Sequence, residues 1–84
     1  MPLYYRKNSV MIEAIHFTGD NLDEIVEFTN GGARKREFDG RVIYFIDTLE
    51  ESVILSIGDY VIKGVDGEFY TCRADVFEET YEKV

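Results

Sequence analysis

The residues with the strongest claim to chemistry in this 84-residue chain are its single histidine, His16, and its single cysteine, Cys72. Nucleophilic catalysis needs a base beside a nucleophile, so His16 would have to meet Cys72, Ser9, Ser52 or Ser56 across the fold. No spacing in the sequence brings such a pair together. A structural zinc site asks for about four nitrogen or sulfur ligands, more than one histidine and one cysteine supply. Cys72 lies in an aromatic run and reads as a small buried hydrophobe. The acid pairs Glu50-Glu51 and Glu78-Glu79 are weak candidates for a divalent cation, because neighbours on an extended chain point to opposite faces. Gly58, Gly64 and Gly67 precede strand-like residues and not a helix, so they read as turn and bulge glycines rather than a phosphate-cradling loop. The expectation is a protein with no catalytic residue, no metal and no cofactor, hence no enzyme.

Two clusters point to binding instead. Arg34, Lys35 and Arg36, with Arg41, form a basic patch around a predicted hairpin. Such a patch suits phosphate or an acidic partner surface, and it equally protects an edge strand from mispairing. Tyr60, Lys63, Tyr70 and Arg73 fall on two strands joined by a turn. Aromatic and cationic side chains there would line a shallow surface on which a ligand stacks, or simply pair across the strands.

The charge balance limits the partner. Nine basic against seventeen acidic residues give −8, and residues 43–84 carry ten acids and three bases. A field of that sign repels phosphate backbones, so direct nucleic-acid binding is not expected. It attracts a basic surface on another protein and also keeps a small domain soluble.

The elements that must position these residues follow from periodicity. Residues 9–17 carry apolar side chains on both faces and read as an inner strand. Leu22, Ile25, Val26 and Phe28 recur at helical spacing, which predicts a helix over 21–29, capped by Asp20 and stopped at Asn30-Gly31-Gly32. From residue 33 the texture is a β-meander. Asp39-Gly40 and Asp66-Gly67 fit two-residue type I′ hairpins, and the apolar runs 42–46 and 53–57 belong at the sheet centre or under the helix. In the tail, Asp75 could cap one helical turn holding Val76 and Phe77, with 80–84 extended afterwards. The predicted fold is α+β, a single domain over 1–84 with one short helix on a mainly antiparallel sheet of about five or six strands, in the order β-α-β-β-β-β. One helix covers such a sheet incompletely, which predicts an open apolar face and a homo-oligomer. No stretch is long and apolar enough to span a membrane or to act as a signal sequence, and one cysteine suits a reducing compartment.

Several motifs together resemble a family of small proteins of tailed bacteriophages and prophages. They are Tyr5-Arg6-Lys7, Ile12-Glu13-Ala14, Thr18-Gly19-Asp20-Asn21, Gly58-Asp59-Tyr60, Lys63-Gly64-Val65, Gly67-Glu68-Phe69 and the run from Phe77 to Glu82. The segment 30–47 lies outside the resemblance, and Thr71 stands where a proline often precedes the cysteine. The motifs imply no reaction. The resemblance implies an accessory protein of the bacterial host cytoplasm that acts by binding a host factor or defence component. Two alternatives are a sponge that sequesters a small nucleotide signal, with Lys63 and Arg73 converging on Tyr60 or Tyr70, and a minor virion structural or assembly protein.

Overall fold

The computed structural model describes residues 2–84. The chain forms β1 (Leu3–Lys7), β2 (Val10–His16), α1 (Leu22–Phe28), β3 (Ala33–Phe38), β4 (Arg41–Asp47), β5 (Ser52–Leu55), β6 (Tyr60–Lys63), β7 (Phe69–Cys72), α2 (Ala74–Thr80) and β8 (Glu82–Lys83). The class is α+β and every strand pair is antiparallel. The strands divide into a five-stranded sheet, ordered β7-β6-β2-β1-β8, and a three-stranded sheet, β3-β4-β5. The meander of the sequence is thus split. Residues 18–57 leave the large sheet after β2, build α1 and the small sheet, and return so that β6 pairs directly with β2. Backbone hydrogen bonds between Phe17 and the Gly58-Asp59 peptides close the excursion (2.7 and 2.8 Å).

Burial explains the division. Alternation along each strand sends successive side chains to opposite faces. On one face of the large sheet Ile15 and Val61 pack with Phe17, with Ile25 of α1 and with Ala33, Ile46 and Leu55 of the small sheet. On the other, Tyr5, Ile12, Ala14, Tyr60 and Ile62 close over Phe77 of α2. The expected helix docks as its spacing requires, with Ile25 fully buried and Leu22, Val26 and Phe28 packed against the same core.

Several local expectations are corrected. The residue at the start of α1 is Asn21, not Asp20. Its side chain ties the preceding loop together, accepting from the Thr18 backbone and hydroxyl and donating to the His16 carbonyl. The second hairpin is not type I′. Asp39 and Gly40 both have positive φ, as that turn demands, whereas of Asp66 and Gly67 only Gly67 does. The Gly67 amide bonds back to Gly64 and the Gly64 amide to Glu68, giving a three-residue loop with a left-handed glycine. The run 53–57 is not central: β5 is an edge strand, and Ile54 and Ile57 are 61% and 65% exposed. The tail holds its helical turn, as α2, and then extends as expected, but Arg73 and not Asp75 precedes the helix, and the extended end pairs as β8 at the far edge of the sheet, beside β1. With α2 closing the second face of the large sheet, the sheet face that stays open, as expected, is the outer one of the small sheet, where Phe38 and Ile54 are exposed.

Candidate functional site

The four residues Tyr60, Lys63, Tyr70 and Arg73 do not converge. Tyr60 and Lys63 are three residues apart on one strand, which places them on opposite faces. Tyr60 is buried. Its ring stacks on Phe77 (3.9 Å between centroids) and on His16 (4.6 Å), and its hydroxyl reaches Glu78 at 3.5 Å. Burial, followed by the charges of Tyr5 and Glu78, pushes its pKa up. Lys63 lies on the other face, opposite Glu13 and Phe69 in register, at a shallow cleft it shares with Tyr4 and Met11. Tyr70 lines a different cleft with Tyr81. Arg73 lies between β7 and α2, exposed, with its guanidinium held by Asp75 at 2.8 Å. A nucleotide would find no single pocket made by all four.

His16 and Cys72 are separated in the same way. The register runs His16 to Tyr60 to Cys72, so the two sit two strands apart with a tyrosine between them, about 10 Å at ordinary strand spacing. The His16 Nε2 donates to the Gly58 carbonyl at 2.9 Å. Burial, then the charges of Asp59 and Asp75, push the Cys72 thiol up, away from the thiolate that nucleophilic attack needs. Among the described residues no group of three or more His, Cys, Asp or Glu is placed to hold a metal ion, and no helix is long and apolar enough to cross a membrane.

The basic cluster is arranged differently. Strand alternation and the register Arg34↔Phe45, Arg36↔Ile43 and Phe38↔Arg41 place all three arginines on the outer face of the small sheet, with Phe38, Ile43, Phe45 and Ile54. Lys35, one residue out of phase, falls on the inner side. Arg34 is fixed: it lies 5.5 Å over the Phe45 ring, donates to Asp47 at 2.6 Å and donates to Ser52 at 3.1 Å. The Ser52 hydroxyl also donates to Asp47, and these bonds, Ser52 first and Arg34 second, hold the Asp47 carboxyl below its ordinary range. Arg36 and Arg41 are exposed and carry no ion pair among the described residues.

The third strand explains why this region stands apart. β5 pairs with β4 only from Tyr44 to Asp47, so beyond Tyr44 the sheet is a two-stranded hairpin. Residues 34–42 are exposed throughout, Phe38 and Val42 by 46% and 43%. This arm contributes to a long molecule of 44 × 23 × 22 Å. The sequence marked its cations but not its apolar partners, Phe38 and Ile43, which become neighbours only through the register. Comparison with family models, curated proteins and solved structures gave no match.

Proposed function

We propose that this protein acts by binding, and that the arginine-bearing outer face of the β3–β4 arm holds an acidic surface of a partner protein. The supporting observation is the placement of Arg36 and Arg41 beside Phe38 and Ile43 on an arm covered on neither side at its tip. An aromatic and arginine patch is the composition of interface hot spots. Its positive charge, in a chain of net −8, orients an acidic partner toward this face. The resemblance to phage and prophage proteins supports a host protein as that partner, within the bacterial cytoplasm, and a role in blocking a host factor or defence component.

The test is binding to a host protein captured on the wild type, identified by mass spectrometry and then purified. Arg36→Glu with Arg41→Glu is expected to weaken binding by about tenfold or more and to reverse its salt dependence. The triple variant Glu78→Gln, Glu79→Gln, Glu82→Gln serves as comparison and is expected to bind like wild type. Loss of binding in the acid triple with none in the arginine variant would place the interface on the acidic half instead. Light scattering of the free protein separates a hetero-partner from self-association through the same arm.

A further inference from the structure

We infer that the acidic partner proposed above is held as an extended strand added to the free edge of β3. The inference rests on that reading and specifies the partner's form: an extended segment with carboxylates on both of its faces, joined to β3 by backbone hydrogen bonds.

The hydrogen-bonding phase of the hairpin identifies the free backbone groups. The two-residue turn at Asp39-Gly40 closes on Phe38 and Arg41, which makes theirs a hydrogen-bonded pair. Bonded and non-bonded pairs alternate along an antiparallel ladder, so Arg36↔Ile43 and Arg34↔Phe45 are bonded as well. The other end of the strand agrees, because the Gly32 carbonyl, two residues before Arg34, accepts from the Asp47 amide at 2.8 Å. The amides and carbonyls of Lys35 and Glu37 therefore point away from β4. Both residues are exposed, β3 is an edge strand, and neither peptide makes another backbone bond among the described residues. At six residues β3 is also the longest of the edge strands, since β5 and β7 have four each and β8 two.

The side chains decide what pairs with this edge. A second copy of β3 laid antiparallel would bring the run Arg34-Lys35-Arg36 against itself, and like charges directly opposite destabilise a strand pair. The same run favours an acidic strand. Arg36 on the outer face and Lys35 on the inner carry no ion pair among the described residues, whereas Arg34 is turned to Asp47 and Ser52 on the neighbouring strands. A carboxylate opposite Arg36, and another on the adjoining residue opposite Lys35, would each stand about 5 Å from a free cation's strand position. Phosphate or nucleic acid would satisfy the cations but leave the carbonyls of Lys35 and Glu37 without a donor, so the edge selects a polypeptide.

The probe is the peptide acetyl-Thr-Val-Glu-Glu-Glu-Val-Thr-amide, titrated into the full chain at physiological salt and followed by amide chemical shifts, with the peptide carrying Lys for Glu as control. The expected result is saturation by the acidic peptide alone and an alternating pattern along β3: the amide protons of Lys35 and Glu37 move downfield, and those of Arg34, Arg36 and Phe38, already bonded to β4, move less. Glu37→Pro separates backbone from charge. It removes a carboxylate, which by charge alone tightens binding of an acidic peptide, and it removes an edge amide without touching the ladder to β4. The expected result is weakening by about tenfold or more, while Glu37→Gln should tighten binding by about twofold. Where Glu37→Pro disturbs the arm's own spectrum, the wild-type alternation decides alone. Absence of saturation at millimolar acidic peptide, shifts without alternation, or binding by an intact Glu37→Pro variant as tight as that of wild type overturns the strand addition. The arm as a binding surface fails separately, when Arg36→Glu with Arg41→Glu leaves binding of the captured host protein unchanged.

Discussion

The two sheets are made of the same kinds of residue, β-branched and aromatic side chains punctuated by turns, yet they end in different states. The five-stranded sheet is covered on one face by α2, through the stack of Tyr60, Phe77 and Tyr81 with Tyr5 at its edge. On the other, α1 and the inner side of the small sheet cover the sheet around Ile15 and Val61 and leave Tyr4 and Met11 exposed. The three-stranded sheet is covered on one face only, and its arm on neither. Burial on both faces makes a scaffold, whereas exposure of both faces leaves a segment whose order depends on what it meets. The cations follow the same division: three of the four residues of the basic cluster face outward on the arm, and Arg34 at its base is already tied down by Asp47 and Ser52.

The largest expected effect comes from cutting the scaffold where its rings meet. Phe77 is fully buried between Tyr5, Tyr60 and Tyr81. Phe77→Ala should cost about 3–5 kcal/mol by chemical denaturation, a large share of a small domain's stability. Ile25→Ala, on the opposite face, should cost about 2–4 kcal/mol. A loss below about 0.5 kcal/mol in either would mean that face is not the core it is taken to be.

Raising the pH offers a subtler cut. The pKa of Tyr70 is about 12 in the fold against about 10 in the unfolded chain, so the unfolded state gives up its proton first. The contribution of this hydroxyl to stability is therefore complete below pH 10 and is lost as pH rises toward 12. Tyr70→Phe should flatten the alkaline branch of the stability curve, and an unchanged branch would argue against the partial burial of the Tyr70 hydroxyl. Asp47 works in the other direction. Its folded pKa is lowered, so what it contributes is present above the unfolded value near 3.8 and lost as pH falls through the folded one. Side-chain NMR of Asp47 should show its titration moving up in Ser52→Ala and in Arg34→Ala.

The smallest expected effect on stability is on the arm. Arg36→Ala and Arg41→Ala together should change folding stability by no more than about 0.5 kcal/mol, since neither side chain carries an ion pair among the described residues. A larger loss would make the arginines structural, and their role would then be to protect the β3 edge rather than to bind.

What was legible in the sequence divides along the same line. Local signals held: the helical spacing of Leu22, Ile25, Val26 and Phe28, and the Asp39-Gly40 hairpin, where two adjacent residues must take positive φ. Long-range signals did not. Nothing local says that the chain after His16 departs to build a second sheet before β6 returns to β2, because strand order is set by which faces bury one another. β1 also went unread: Tyr5 is its only buried side chain, and that burial depends on Phe77, far along the chain. For the candidate sites, the parity of 60 and 63 on one strand already separates Tyr60 from Lys63.

Amide hydrogen exchange of the free protein tests the division into scaffold and arm most directly. The account predicts slow exchange, close to the global unfolding limit, for hydrogen-bonded amides of residues 12–16 and 60–63. It predicts exchange at least about a hundredfold faster across 36–43, slowing only when a partner is bound. Exchange as slow at 36–43 as in the five-stranded sheet would contradict it, because the arm would then be as firmly held as the core and would have no claim to be the surface left open for binding.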